Sequence, residues 1–356
     1  MAVAAADIPN VSRDVNASHA VRGVDTLRFF AAGWVALYHG AAFPIERVLP
    51  PVVALKLPGL GRLPFNGMAA VVVFFVISGF CIHYHNVGKV RLSWLRFLLQ
   101  RAVRIVAPLI CVMFLARYLG PDFYGAVHAV LWSVFCEIAY YALYPVIFLL
   151  IAKGRLTHLI IGSTGVSFIL GCLWPRLVFL GDMGNWTWIY CLPMWLAGCA
   201  LAERYKRRLS RSDLRAGARV CRYRLGAICF GSLAAILSRL PMFPVGYIWT
   251  MPLFTVYSMA WLLREFDHAR SAGTVQVFER WGTAAYSMYL THKLAICAVT
   301  KLQVHWFLAW SLDLVAIAVF AIAFYFLVER PSHLMSKWIG HQMKDLPASS
   351  LRSTAH

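Results

Sequence analysis

The chain has 356 residues, 60% of them hydrophobic and 14% charged, with a formal net charge of +19 and a mean hydropathy of +0.66. Soluble domains carry about 25% charged residues, so this chain lacks the charge to cover a globular surface and reads as an integral membrane protein. Its cations stand between apolar runs, as in proteins that fix their orientation in a bilayer, and no folded basic module accompanies them, which argues against nucleic acid as a partner.

Residues 1–21 hold no apolar core of signal-peptide length and are interrupted by Pro9, Asn10 and Asp14, so they predict a disordered cytoplasmic tail. Candidate membrane-spanning runs follow at 25–43, 66–86, 98–118, 128–152, 157–180, 186–203, 224–240, 244–263, 283–303 and 308–328. Basic residues gather in alternate connections. Arg13 and Arg22 precede the first run. Lys89, Arg91, Arg96, Arg101 and Arg104 follow the second, and Lys153 and Arg155 follow the fourth. Arg204, Lys206, Arg207, Arg208, Arg211, Arg215, Arg219, Arg222 and Arg224 follow the sixth; Arg264, Arg270 and Arg280 follow the eighth; Arg330, Lys337, Lys344 and Arg352 follow the last. With ten spans all of these fall on one side, which the positive-inside rule makes cytoplasmic. The expectation is an all-α, polytopic membrane helix bundle of about ten transmembrane helices with both termini cytoplasmic. A single domain covers 22–340 and a disordered cytoplasmic tail covers 341–356. The basic run from Lys206 to Arg224 reads as a solvated loop touching anionic headgroups of the membrane lipids.

Ionisable groups inside the apolar runs are costly, at roughly 2.5–3.5 kcal/mol for a charge at mid-bilayer, and point to function. Arg28 and His39 are eleven residues apart on the first run. Eleven steps of a helix return to within about 20° of the start, which sets the pair on one face about 16 Å apart. Glu137 lies in LWSVFCEIAYYALYP and His292 in AAYSMYLTHKLAI, at a depth comparable to His39. These three are expected to line one cavity open to the cytoplasm, with Arg28, Arg101, Arg104 and Glu329 near the cytoplasmic surface. Each has a plainer reading: His292 as an interhelical donor, Glu137 as an ion-pair lock, Arg101 and Arg104 as topology charges, Ser78 as a small contact residue. The cysteines stand singly and predict no disulfide framework. Cys81, His83 and His85 form a C-x-H-x-H string, but no second cluster completes a closed metal site, so no metal is expected.

Five stretches carry a resemblance. They are DTLRFFAAGWVALYH at 25–39, VVFFVISGFCI at 72–82, FLLQRAVRIVAPL at 97–109, LWSVFCEIAYYALYP at 131–145, and YSMYLTH at 286–292 with the late VERP at 328–331. In this order they resemble the integral-membrane acyltransferase-3 family of O-acyltransferases, from Arg22 to about Trp338. Gln100 departs from it, standing where an arginine pair is more usual. The resemblance implies a bacterial inner-membrane enzyme that moves an acyl group, most often acetyl. The donor it implies is an acyl-CoA such as acetyl-CoA, a substrate rather than a permanently bound cofactor. The implied acceptor is a sugar hydroxyl on a surface glycan or lipid-linked sugar. Carried over, His39 is the leading catalytic residue and Arg28 its companion.

The residue chemistry is compatible with that implication. A sugar hydroxyl needs a base, and an imidazole is the usual choice; His39 takes that role, with Glu137 or His292 to orient it. Arg28, Arg101 and Arg104 suit the phosphates of coenzyme A. Ser78, Trp132, Ser133 and Tyr289 are candidate oxyanion donors and, with His292 and Glu329, candidate substrate-binding residues. A transporter or flippase using the buried His and Glu as a proton relay is the alternative, but the chain carries no internal repeat.

Overall fold

The structure, a computed structural model, describes residues 21–56, 59–175, 177, 179–210, 220–240 and 245–343. Nearly all of both expected tails, and Arg211, Arg215 and Arg219 of the basic run, lie outside these residues. Every regular element among them is helical, and the chain is a polytopic helical membrane protein.

Among the described residues, ten long helical rods occupy the ten apolar segments. They are α1 (Val24–Ala36, continued by a π-helical turn Leu37–Ala41), α3 (Gly67–Tyr84), α4 with α5 (Trp94–Arg101 and Ala107–Leu119, joined by a π turn Ala102–Val106), α7 (Trp132–Ala152), α8 (Leu156–Leu173), α9 (Thr187–Ser210), α10 (Val220–Leu237), α11 (Tyr247–Ala272), α13 (Ala285–Thr300), and α14 with α15 (Trp306–Phe324 and Arg330–Gln342, joined by a π turn Tyr325–Glu329). Shorter helices α2 (Pro51–Lys56), α6 (Pro121–His128) and α12 (Gln276–Gly282) lie between them. Six rods are long and apolar enough to cross a membrane on composition alone. The other four, α1, α9, α11 and α13, are either short or carry charged and titratable side chains such as Arg28, Glu203, Glu265 and His292. The fifth apolar segment was expected to run to 180, but α8 ends at Leu173. Pro175 explains this, because the residue before a proline is pushed out of the helical region.

α3 runs through the centre and, of the six apolar rods, is the most enclosed. Its start is fixed by Asn66, whose side chain accepts from the backbone N–H groups of Met68 (3.0 Å) and Ala69 (3.3 Å) and donates to the Gly231 carbonyl (2.8 Å). That satisfies two of the orphan donors of a helix N-terminus. Gly79 and Gly198 let α3 and α9 meet backbone to backbone: a Cβ on Gly79 would stand 2.0 Å from the Trp195 carbonyl oxygen. Such close contact is the usual means of helix association in a membrane. α12 is docked on α1 by Glu279, which accepts from Gly23 N (2.7 Å) and Thr26 Oγ1 (3.0 Å) at the start of α1. Gln100, the departure noted above, ties α4 to α15: its amide donates to the Ser336 carbonyl (3.2 Å), and Ser336 Oγ donates back to the Gln100 carbonyl (2.9 Å).

Candidate functional site

Three of the rods are interrupted by a π-helical turn, and each turn carries a residue singled out above: His39 in Leu37–Ala41, Arg104 in Ala102–Val106, and Glu329 in Tyr325–Glu329. A π turn inserts one residue into the helical repeat and redirects the side chains that follow; such turns concentrate at functional sites. The turn at His39 contains Gly40, at φ +146°, where a residue with a Cβ would be strained.

A cavity of about 710 Å³ is lined by α1, α3, α7, α13 and the α4–α5 and α14–α15 joints. Arg28, Arg101, Arg104, Arg330 and Lys337 line it, with the carboxylates Asp25, Glu137 and Glu329. Those acids are engaged. Asp25 accepts from Arg28 at 3.1 Å. Glu329 accepts from Ser287 N (2.9 Å) and Ser287 Oγ. Glu137 accepts from Ser78 Oγ (2.6 Å) and from the Tyr141 hydroxyl. Trp195 donates to the same Ser78 oxygen at 3.2 Å. Arg101 lies over the rings of Phe97 and Tyr141; neither it nor Arg104 is in an ion pair with a carboxylate among the described residues. Two guanidinium groups are therefore left to meet an anion, and they bind phosphate bidentately.

His39 lies elsewhere. It borders a separate small chamber of about 20 Å³, walled by Val35, Tyr38, Met68, Val71, Trp132 and Tyr289 among others. Its partner is His292, whose Nε2 is 3.1 Å from His39 Nδ1. His292 Nδ1 is 2.7 Å from the Tyr289 carbonyl. A carbonyl only accepts, so that nitrogen carries the hydrogen. Nε2 of the neutral ring then accepts, and His39 Nδ1 donates to it. His39 Nε2 keeps a free lone pair, the atom a general base needs.

One expectation needs correction. Glu137, His39 and His292 do not line a single cavity. His39 lines the small chamber with His292 bonded to it, while Glu137 is bonded to Ser78 and Tyr141 on the wall of the large one. Of the two residues offered to orient His39, His292 is the one bonded to it. Along α3 the offset is legible: Val71 lines the chamber and Ser78 the cavity, seven residues or about 10 Å of helix apart. Tyr289 borders both spaces. Its hydroxyl donates to the Val130 carbonyl (2.8 Å) and receives from Ser133 Oγ (2.6 Å). Trp132 borders the His39 chamber, edge-on to Phe75 and Phe179.

The Cys81, His83 and His85 string does not converge. His83 meets the Tyr144 hydroxyl (3.0 Å) and Glu203 (3.1 Å), and His85 Nδ1 donates to the Cys81 carbonyl (2.8 Å). Sequence reasoning missed Tyr141, Trp195 and Glu279. Tyr141 stands four residues after Glu137, on the same helix face, and that spacing was a usable signal. Trp195 and Glu279 are 117 and 256 positions from the residues they hold, and no local pattern points to them.

Residues 21–330 match the family model described as an acyltransferase domain. No curated protein and no solved structure matches the chain.

Proposed function

From the premise that the chain belongs to the acyltransferase-3 family, whose model spans residues 21–330, we propose that it is an O-acyltransferase of the bacterial inner membrane. It takes an acetyl group from acetyl-CoA and esterifies a sugar hydroxyl of a cell-surface polysaccharide, lipopolysaccharide or lipo-oligosaccharide. The observation that carries this reading is the His39–His292 pair, with its free Nε2, set beyond a cavity whose Arg101 and Arg104 have no carboxylate partner among the described residues.

The donor's phosphates would be held at the basic end of the large cavity by Arg28, Arg101 and Arg104, with the acyl thioester reaching past Tyr289. His39 Nε2 takes the proton of the acceptor hydroxyl as its oxygen attacks the thioester carbon. The tetrahedral intermediate then collapses, the carbon–sulfur bond breaks, and the imidazolium returns its proton to the leaving thiolate. The products are the ester and free coenzyme A. Among the four candidate oxyanion donors, Ser78 is committed to Glu137, Ser133 to Tyr289, and Tyr289 to Val130. Trp132 is left, beside His39 in the same chamber. Glu137 acts on this reading through Ser78 and Tyr141, as part of the donor cavity wall.

The test is release of coenzyme A thiol from acetyl-CoA by the purified protein, together with mass spectrometry of glycans from cells with and without the gene. Wild type releases thiol and its cells carry acetylated glycan; the His39→Ala protein does neither while remaining folded. Normal acetylation by His39→Ala removes the base assignment, and no acyl release by the wild type removes the enzyme reading.

A further inference from the structure

The C-terminal helix α15 lends one face to the large cavity. Arg330, His333, Leu334 and Lys337 all line it, at i, i+3, i+4 and i+7 of the helix, the spacing of a single face. An adjacent face fixes the helix in place: Ser336 and Gly340 are buried against Gln100 of α4. Arg330, Leu334 and Lys337 are exposed, whereas Arg28, Arg101 and Arg104 are half-buried. The cavity therefore carries cations at two depths, an inner set on α1 and the α4–α5 joint and a rim set on α15.

Neither rim cation is in an ion pair with a carboxylate among the described residues. Arg330 lies over the Phe326 ring, 5.8 Å from its centroid. The acids of the cavity are engaged elsewhere: Asp25 with Arg28, Glu137 with Ser78 and Tyr141, and Glu329 with Ser287, with His333 3.6 Å away. Coenzyme A carries two separate anionic groups. Its diphosphate stands in the middle of the molecule, and a phosphate monoester sits on the ribose 3′ carbon, at the end remote from the thiol. Such a monoester carries about −1.5 to −2 charge near neutral pH. With the thioester directed inward, the diphosphate meets the inner arginines and the 3′-phosphate stops at the rim. There Arg330 and Lys337, seven residues or about 10 Å of helix apart, reach it with long side chains from two sides.

We infer that Arg330 and Lys337 bind the 3′-phosphate of the donor, so that the enzyme selects acyl-CoA over the same thioester without that phosphate. The inference rests on the acyl-transfer reading of the site and adds to it the residues that recognise the coenzyme. Cations that served only to orient the chain in the bilayer would give no such preference. The wild-type enzyme is expected to use acetyl-CoA at least about 10-fold better, in kcat/KM, than acetyl-dephospho-CoA.

The experiment measures thiol release from acetyl-CoA and from acetyl-dephospho-CoA by inside-out membrane vesicles that contain the full-length protein and the cell's own acceptors. Vesicles with the His39→Ala protein supply the background. In the double variant, Arg330→Ala with Lys337→Ala, acetyl-CoA use is expected to fall to the level of acetyl-dephospho-CoA, which itself changes little. Lys337→Arg keeps the preference. Arg104→Ala weakens both donors alike, because both carry the diphosphate. Equal use of the two donors by the wild type overturns the inference, as does an intact preference in the folded double variant. Should the double variant fail to fold, Lys337→Gln alone, at an exposed position, must narrow the preference, and an unchanged ratio there overturns the inference too. Thiol release from neither donor above the His39→Ala background is a different failure, which removes the acyl-transfer reading and this inference with it.

Discussion

A neutral imidazole is an ambiguous base until something decides which nitrogen carries its hydrogen. Here a backbone carbonyl makes that decision at one remove: Tyr289 O fixes His292, and His292 fixes His39. If His292 acts by holding the tautomer, His292→Ala should lower kcat by about 100-fold and leave the KM for acetyl-CoA nearly unchanged. His292→Gln, whose amide oxygen can accept from His39 Nδ1, should recover part of the loss. Steady-state kinetics decide it; a rise in donor KM with kcat intact would assign His292 to donor binding instead. The opposite split is expected in the large cavity. Arg104→Ala should raise the donor KM by about 10-fold with a smaller change in kcat, and Arg104→Lys should restore it only in part, since an ammonium cannot make the bidentate contact.

The working side chains owe their directions to irregularities in the helices. An unbroken α-helix from Val24 would point every eleventh residue nearly the same way, and Arg28 and His39 would share one face. The π turn at Leu37–Ala41, with Gly40 inside it at φ +146°, redirects the second of them. Gly40→Ala is expected to cost about 1–3 kcal/mol of stability through backbone strain and to remove activity by moving His39. The α3–α9 contact makes a second demand. A methyl on Gly79 would overlap the Trp195 carbonyl, so Gly79→Ala should force the two helices apart, cost about 1–3 kcal/mol, and loosen the Trp195–Ser78–Glu137 chain. Thermal unfolding in detergent measures both losses. An unchanged midpoint for Gly79→Ala would mean that the helices separate easily at this point.

Across the whole molecule, the ten rods of the described residues, joined by alternately basic connections, enclose the large cavity and, further along α3, the His39 chamber. Asp122, at the start of α6, is bonded to Lys301, just after α13, at the end opposite the basic connections. In a cysteine-free background, a cysteine at Arg155 should react with an impermeant maleimide only from the cytoplasmic side. One at Tyr118, at the exposed end of α5, should react only from the other side. Labelling of both from one side would break the alternation, and labelling from exchanged sides would reverse the orientation.

Much of this was legible in the chain itself. Run length and hydropathy alone give an all-helical membrane bundle with ten segments, because a bilayer demands long apolar helices whatever their neighbours do. The scarcity of ionisable groups within those runs singles out Arg28, His39, Arg104, Glu137 and His292, because burying such groups is costly. What the chain alone left undecided was the grouping of these residues. That depends on π turns that change a side chain's direction, on glycines such as Gly79 and Gly198 that set the distance between helices, and on contacts between residues far apart in sequence, such as Glu279 with Gly23. Periodicity fixes the face of an ideal helix, but only packing of the finished bundle decides which faces meet. That is why Glu137 and His39, similar in depth by sequence, line two different spaces that share Tyr289.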